Sequence, residues 1–218
     1  MVLEPVRAQV LATRIIANVD GALARQFRLS PRHRSIGMLT VTIDDVGYTA
    51  VDEATKRAEV DVVYAKSFYA GAAHSSGPLS GEFIGVLAGP TPDEVRSGLE
   101  AAAQVVDRGA CFYALDAKGE HTVYPHVISR TGRYLSKVAG IAEGEPLAYL
   151  IAPPLEAMFG LDAALKAATV RLAKFYGPPT ETNFAGGLLT GSQSACTAAA
   201  AAFLEAVIAV AESPLAVR

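Results

Sequence analysis

Asp44, Asp45 and Glu82 are the residues of this chain best suited to bind a small charged molecule. The two aspartates close the apolar run IGMLTVTIDD, and Glu82 stands at the start of the run GEFIGVLAG. Carboxylates that converge at sheet ends would hold an ammonium-bearing ligand through charge-assisted hydrogen bonds. An aromatic ring such as Phe112 would add a cation–π contact. Spacing alone does not bring Asp44 to Glu82, and Asp44-Asp45-Val46-Gly47 also reads as a plain polar turn.

Other chemistry is sparse. The histidines His33, His74, His121 and His126 are scattered, and TVYP between the last two is not a helical metal spacing. They read as solvated or hydrogen-bonded side chains, so no metal is expected. Cys111 and Cys196 are too few for a disulfide framework; they read as small buried residues in a reducing cytosol. GxSxG, GxxxxGK[ST], HExxH and CxxC are all absent from the chain, so neither a catalytic residue nor a cofactor is expected. An enzyme acting on an amino alcohol, with Glu82 or Asp45 as base, would lack a nucleophile–base pair and a cofactor motif.

The stretch YAGAAHSSGPLSG (69–81) is long and rich in small residues, with Phe68 and Tyr69 leading into it. It reads either as an ordinary surface loop or as a mobile gate whose aromatics plug an opening.

These residues must be positioned by an apolar chain. Of 218 residues, 51% are hydrophobic and 19% charged, and mean hydropathy is +0.28. Forty alanines supply much of this, a composition suited to close packing and to surface hidden against further copies of the chain. That balance excludes general disorder. The net charge of −3 gives no electrostatic case for nucleic acid or anionic membranes. The N-terminus MVLEPVRAQVLATRII lacks the pattern of a signal peptide. The longest apolar run, Ala195 to Ala211, is 17 residues and mostly alanine, short for a bilayer span, and reads as a buried helix of a soluble protein.

The elements repeat. At a constant offset of 110, Asp52, Ala54, Lys56, Ala58 and Val60 match Asp162, Ala164, Lys166, Ala168 and Val170. Each copy predicts a helix N-capped by its aspartate, then a strand, VDVVYAKSF or VRLAKFY. Further on, residues 81–106 match 186–210 at an offset of about 102: a strand, a glycine turn (Gly89, Gly191), then a capped helix. The strands before the repeats, IGMLTVTID (36–44) and LAYLIAPPLE (147–156), also match. The chain thus reads as a duplicated β-α-β-loop-β-α unit with a boundary near Cys111–Leu115, and three such chains would place six similar units around one axis.

The stretches 52–82, 126–168 and 178–207 resemble the tandem-domain, EutL-type shell proteins of ethanolamine-utilization bacterial microcompartments, and the resemblance covers essentially all 218 residues. It implies an α/β (α+β) fold of two circularly permuted shell domains, residues 1–112 and 113–218. It implies a structural role in the microcompartment shell, in the cytoplasm. It also implies a homotrimer forming a pseudohexameric tile beside other shell proteins, with a gated central pore. The gate would be lined by Phe68, Tyr69, Ala70, Gly71 and His74. A smaller pocket in each subunit would recognise ethanolamine through Asp44, Asp45, Glu82, Phe112, Thr182, Asn183 and Phe184. A tyrosine also fits the family pattern where this chain has Phe184, so any hydrogen bond from that ring is lost. The alternative is a ligand-binding regulatory module of the same fold that builds no shell.

Overall fold

In chain order the elements are β1 (Glu4–Val6), β2 (Val10–Ile16), α1 (Gly21–Gln26), β3 (Ser35–Val41), α2 (Asp44–Arg57), β4 (Asp61–Ser67), β5 (Phe83–Gly89), α3 (Pro92–Gln104), β6 (Phe112–Ala114), β7 (Thr122–Ile128), α4 (Arg133–Ala139), β8 (Leu147–Ala152), α5 (Pro154–Ala167), β9 (Val170–Tyr176), β10 (Ala185–Gly191) and α6 (Gln193–Glu212). This computed structural model describes residues 3–69 and 76–216.

The chain forms two compact units. The N-terminal unit comprises Arg7–Ala110 and Gly132–Leu135; the C-terminal unit comprises β1, Cys111–Thr131 and the chain from Ser136 onward. Beside a cut at 112/113, the change-over falls at Ala110/Cys111, β1 pairs with β6 so that the first strand joins the later unit, and Gly132–Leu135 joins the earlier one.

Within each unit the duplication is plain. The N-terminal sheet runs β2-β3-β5-β4 and the C-terminal sheet β1-β6-β7-β8-β10-β9, all antiparallel where paired. The order β3-β5-β4 repeats as β8-β10-β9. Each unit carries a helix pair on its sheet, α2 with α3 and α5 with α6. Both edge ladders contain a bulge at the same place: Val63 is skipped opposite Val86 and Leu87, and Ala173 opposite Leu188 and Leu189. Such bulges are retained features of a sheet rather than accidents.

Local chemistry sets the second helix of each copy. Thr91 Oγ1 accepts from Glu94 N–H at 3.2 Å, with Pro92 next in the first turn. Ser192 Oγ accepts from Ala195 N–H at 3.1 Å. These caps satisfy donors that the first turn leaves over. The first helix of each copy starts earlier than the repeat suggested. Strand β3 ends at Val41, so Asp44 and Asp45 open α2 rather than close a strand, and β8 likewise ends at Ala152. Asp52 and Asp162 are therefore mid-helix, not N-caps.

Asp52 caps a different helix. Its carboxylate accepts from Gly132 N–H (2.7 Å) and Leu135 N–H (2.8 Å), while Thr55 Oγ1 accepts from Arg133 N–H (3.0 Å). The first turn of α4 is thus fastened to α2. Burial pushes the Asp52 carboxyl up, against those two backbone donors and Lys56.

In the C-terminal unit the core gathers Leu150, Leu161, Leu189, Phe203 and Val207 between α5, α6 and the sheet. Helix α6 is long and apolar enough for a bilayer span by length and composition, and it buries one face, Cys196, Ala199, Ala200, Phe203, Ala206 and Val207, against this core. Cys196 is buried as expected, whereas Cys111 is only half-buried.

Candidate functional site

The first turn of α2 carries Asp44 and Asp45, both 6% exposed. The N-cap residue, Ile43, makes no side-chain cap, and Asp45 N–H donates locally to Asp44 Oδ1 at 3.0 Å. The positive end of the helix dipole lies at this turn.

Glu82 arrives from the other side, through a glycine. Gly81 has φ +63°, and a Cβ on it would stand 2.2 Å from the Val41 carbonyl oxygen, so only glycine fits. Glu82 then pairs on both flanks: its N–H donates to Val41 O and its carbonyl accepts from Phe68 N–H, each at 3.0 Å. Burial, with the Asp44 charge acting on it, pushes the Glu82 carboxyl up to about 7. The three predicted carboxylates therefore all stand in the N-terminal unit, with Glu82 within reach of the Asp44 charge.

A fourth residue stands with them. Tyr48 lies one helical turn beyond Asp44, and its Oη accepts from Ser67 Oγ at 2.8 Å. Burial pushes its phenol up; the Ser67 hydrogen bond opposes this, and the charges of Asp44 and Asp45 add to it. The sequence reading missed Tyr48. The signal was the i,i+4 spacing from Asp44, invisible once the helix was started at Asp52.

The remaining predicted ligand contacts are in the C-terminal unit. Phe112 is buried and stacks on Tyr124 (4.8 Å), with Phe184 edge-on to it at 5.7 Å. Thr182 and Asn183 belong to a tight turn in which Asn183 N–H donates to Thr180 O, Thr180 N–H donates to Phe184 O, and Asn183 takes φ +68°. Asparagine tolerates that conformation better than most residues.

Of the predicted gate residues, Phe68 and Tyr69 follow β4 directly, and Tyr69 is 54% exposed. Ala70, Gly71 and His74 lie outside the described residues. Among the described residues no group of three or more His, Cys, Asp or Glu side chains could hold a metal ion. His33 Nε2 stands 3.3 Å from Asp61, His121 Nε2 stands 3.1 Å from Glu156, and His126 stacks on Tyr124.

The microcompartment shell (BMC) domain family matches residues 35–130, from β3 through β7. The chain is 59% identical to the bacterial microcompartment shell protein EutL of Clostridium perfringens, over 96% of this chain and 97% of that one. It belongs to the EutL family of bacterial microcompartment shell proteins. The corresponding protein of Salmonella typhimurium is 52% identical over 98% of this chain and 97% of its own. The crystal structure of the ethanolamine utilization protein EutL from Leptotrichia buccalis superimposes with a TM-score of 0.96 at 60% identity, covering 100% of both chains. The EutL-type fold of tandem shell domains and the structural, non-catalytic role in a microcompartment shell within the cytoplasm follow from this membership.

Proposed function

We propose that this chain forms a trimeric, pseudohexameric shell tile that recognises ethanolamine and passes metabolites through a gated central pore. Asp44, Asp45 and Glu82 hold the ammonium group. The observation that carries this reading is their confinement in one unit, with burial first and the Asp44 charge second raising the Glu82 carboxyl to about 7. A cation offsets that charge, and a primary ammonium supplies donors for several carboxylate oxygens. Phe112, Thr182, Asn183 and Phe184 stay with the proposal as further ligand contacts on the strength of the resemblance. The pore assignment rests on the glycine-rich stretch after Phe68 and Tyr69. The duplication supports the trimer, because two similar units per chain let a threefold ring imitate sixfold symmetry.

Calorimetry with ethanolamine against the wild type and Glu82→Gln tests the binding role; equal affinity would remove Glu82 from it. A solution mass of three times 22.7 kDa is expected, and a monomer would sink the tile. Ligand binding without assembly into sheets would favour the regulatory module instead.

A further inference from the structure

The Phe83 ring lies in a slot whose walls are glycines. A Cβ on Gly47 would meet Phe83 Cδ1 at 2.4 Å and Cγ at 2.5 Å, and one on Gly85 would meet Cε1 at 2.9 Å. Cγ and Cδ1 are at the root of the ring, so it cannot step aside by a small rotation, and with 0% exposure it has no room to swing out. Tyr48 closes the slot edge-on, with ring centroids 4.8 Å apart and an interplanar angle of 75°. On its other side Tyr48 stacks parallel to Tyr134 at 6.2 Å, in the turn of α4 that Asp52 caps.

This slot lies at the root of the carboxylate cluster. Gly47 is three residues after Asp44 in the same first turn, and its N–H makes that turn's bond to Ile43 O at 3.1 Å. Phe83 directly follows Glu82. The contact between Gly47 and Phe83 is therefore a side-chain packing path between the aspartate turn and the glutamate, beside the backbone bond from Glu82 N–H to Val41 O. No shorter covalent route exists: the two ends are separated by β4 and the whole loop after it.

The C-terminal unit has other residues at these positions. In register with the bulges, Gly47 corresponds to Ala157 and Phe83 to Ala185, both 0% exposed. The pairing of a glycine with a buried ring is thus particular to the copy that carries the carboxylates.

We propose that Gly47, Phe83 and Tyr48 form a packing joint that sets the spacing of Asp44 and Asp45 against Glu82, and so act as positioning residues for the ammonium group. The proposal rests on the ethanolamine reading for its ligand, but the joint itself is testable without one.

The decisive variant is Gly47→Ala in the full chain. Two measurements are made: calorimetry with ethanolamine hydrochloride, and the titration midpoint of the Glu82 carboxyl by carbon-13 NMR on ligand-free protein with labelled glutamates, Glu82→Gln assigning the resonance. Displacing a turn by about 1 Å lowers affinity roughly tenfold or more. It also moves the Glu82 midpoint by about half a unit or more, because the coupling to Asp44 depends on distance. The double variant Gly47→Ala/Phe83→Leu makes room for the added methyl and recovers both. Wild-type affinity and midpoint in Gly47→Ala would overturn the joint, and so would a double variant as impaired as the single one, since a general loss of structure is not rescued by trimming one ring. If Gly47→Ala does not fold, Phe83→Leu alone carries the test: an unchanged midpoint overturns the proposal and a shifted one supports it. Absence of ethanolamine binding by the wild type would defeat the ligand reading, while the midpoints still decide the joint.

Discussion

At the start of α2 the chain places Asp44 and Asp45; at the start of α5 the corresponding residues are Pro154 and Leu155. Glu82, before β5, has Phe184 as its counterpart before β10. Same strand order, same bulge, same helix pair: yet one copy carries three carboxylates at these positions and the other an apolar set. Leu155 is 65% exposed, so the second copy has not simply filled its core with the residues that replaced the acids. A duplicated scaffold needs only its strand and helix contacts to fold, which leaves the helix start and the strand approach free to diverge. Function is carried by those ends.

The sharpest way to break the comparison is at Asp52 and Asp162, which occupy equivalent positions in α2 and α5. Asp52 is 1% exposed and bonded to two backbone donors; Asp162 is a surface partner of Lys166, its side chain 61% exposed. Asp52→Ala should cost about 2–4 kcal/mol by chemical denaturation, because two donors lose their acceptor. Asp162→Ala should cost less than about 0.5 kcal/mol. Equal effects would mean that the α4 cap contributes no more than a surface pair.

Next in size is the ligand itself. Glu82→Gln should weaken ethanolamine binding by about 1.5–3 kcal/mol, the scale of a hydrogen bond to a charged group. Its counterpart Phe184 carries no charge, so Phe184→Leu should change affinity less.

pH sharpens the contrast further. Binding of an ammonium requires ionised Glu82, so affinity should fall as pH drops below about 7. The slope approaches tenfold per unit at most, and Glu82→Gln should flatten it. Folding stability has the opposite sign. A carboxyl whose folded value lies above its unfolded one, near 4.5, favours the fold most below 4.5, and that contribution is lost as pH rises through about 7. Wild type should therefore unfold less readily at pH 5 than at pH 8 relative to Glu82→Gln, by thermal melts at matched ionic strength.

The smallest expected change in affinity is at Phe184. Restoring the ring hydroxyl with Phe184→Tyr should tighten binding by about 0.5–1.5 kcal/mol if it finds the ligand. Unchanged affinity would separate that ring from the ligand.

Much of this was legible along the chain. The duplication showed because each copy must bury the same faces, which fixes the order of apolar runs. Thr91 and Ser192 could be read as caps because a cap is a local bond, made within three residues. Asp52 misled for the same reason. It looks like a cap and it is one, but for donors 80 and 83 positions away, and sequence neighbours cannot reveal that. The missing cap at Ile43 removed the signal that would have moved the start of α2 to Asp44.

By itself the sequence determined the kinds of groups present, the repeated order of elements and the family, since periodicity, capping and long motifs are carried by neighbours in the chain. Only the tertiary structure decided that Glu82 comes under the influence of Asp44, that Tyr48 joins them, and that Gly47 must lack a side chain. Those facts depend on distances between segments brought together by folding, and a distance across a packed core is written in the volumes on both sides of it.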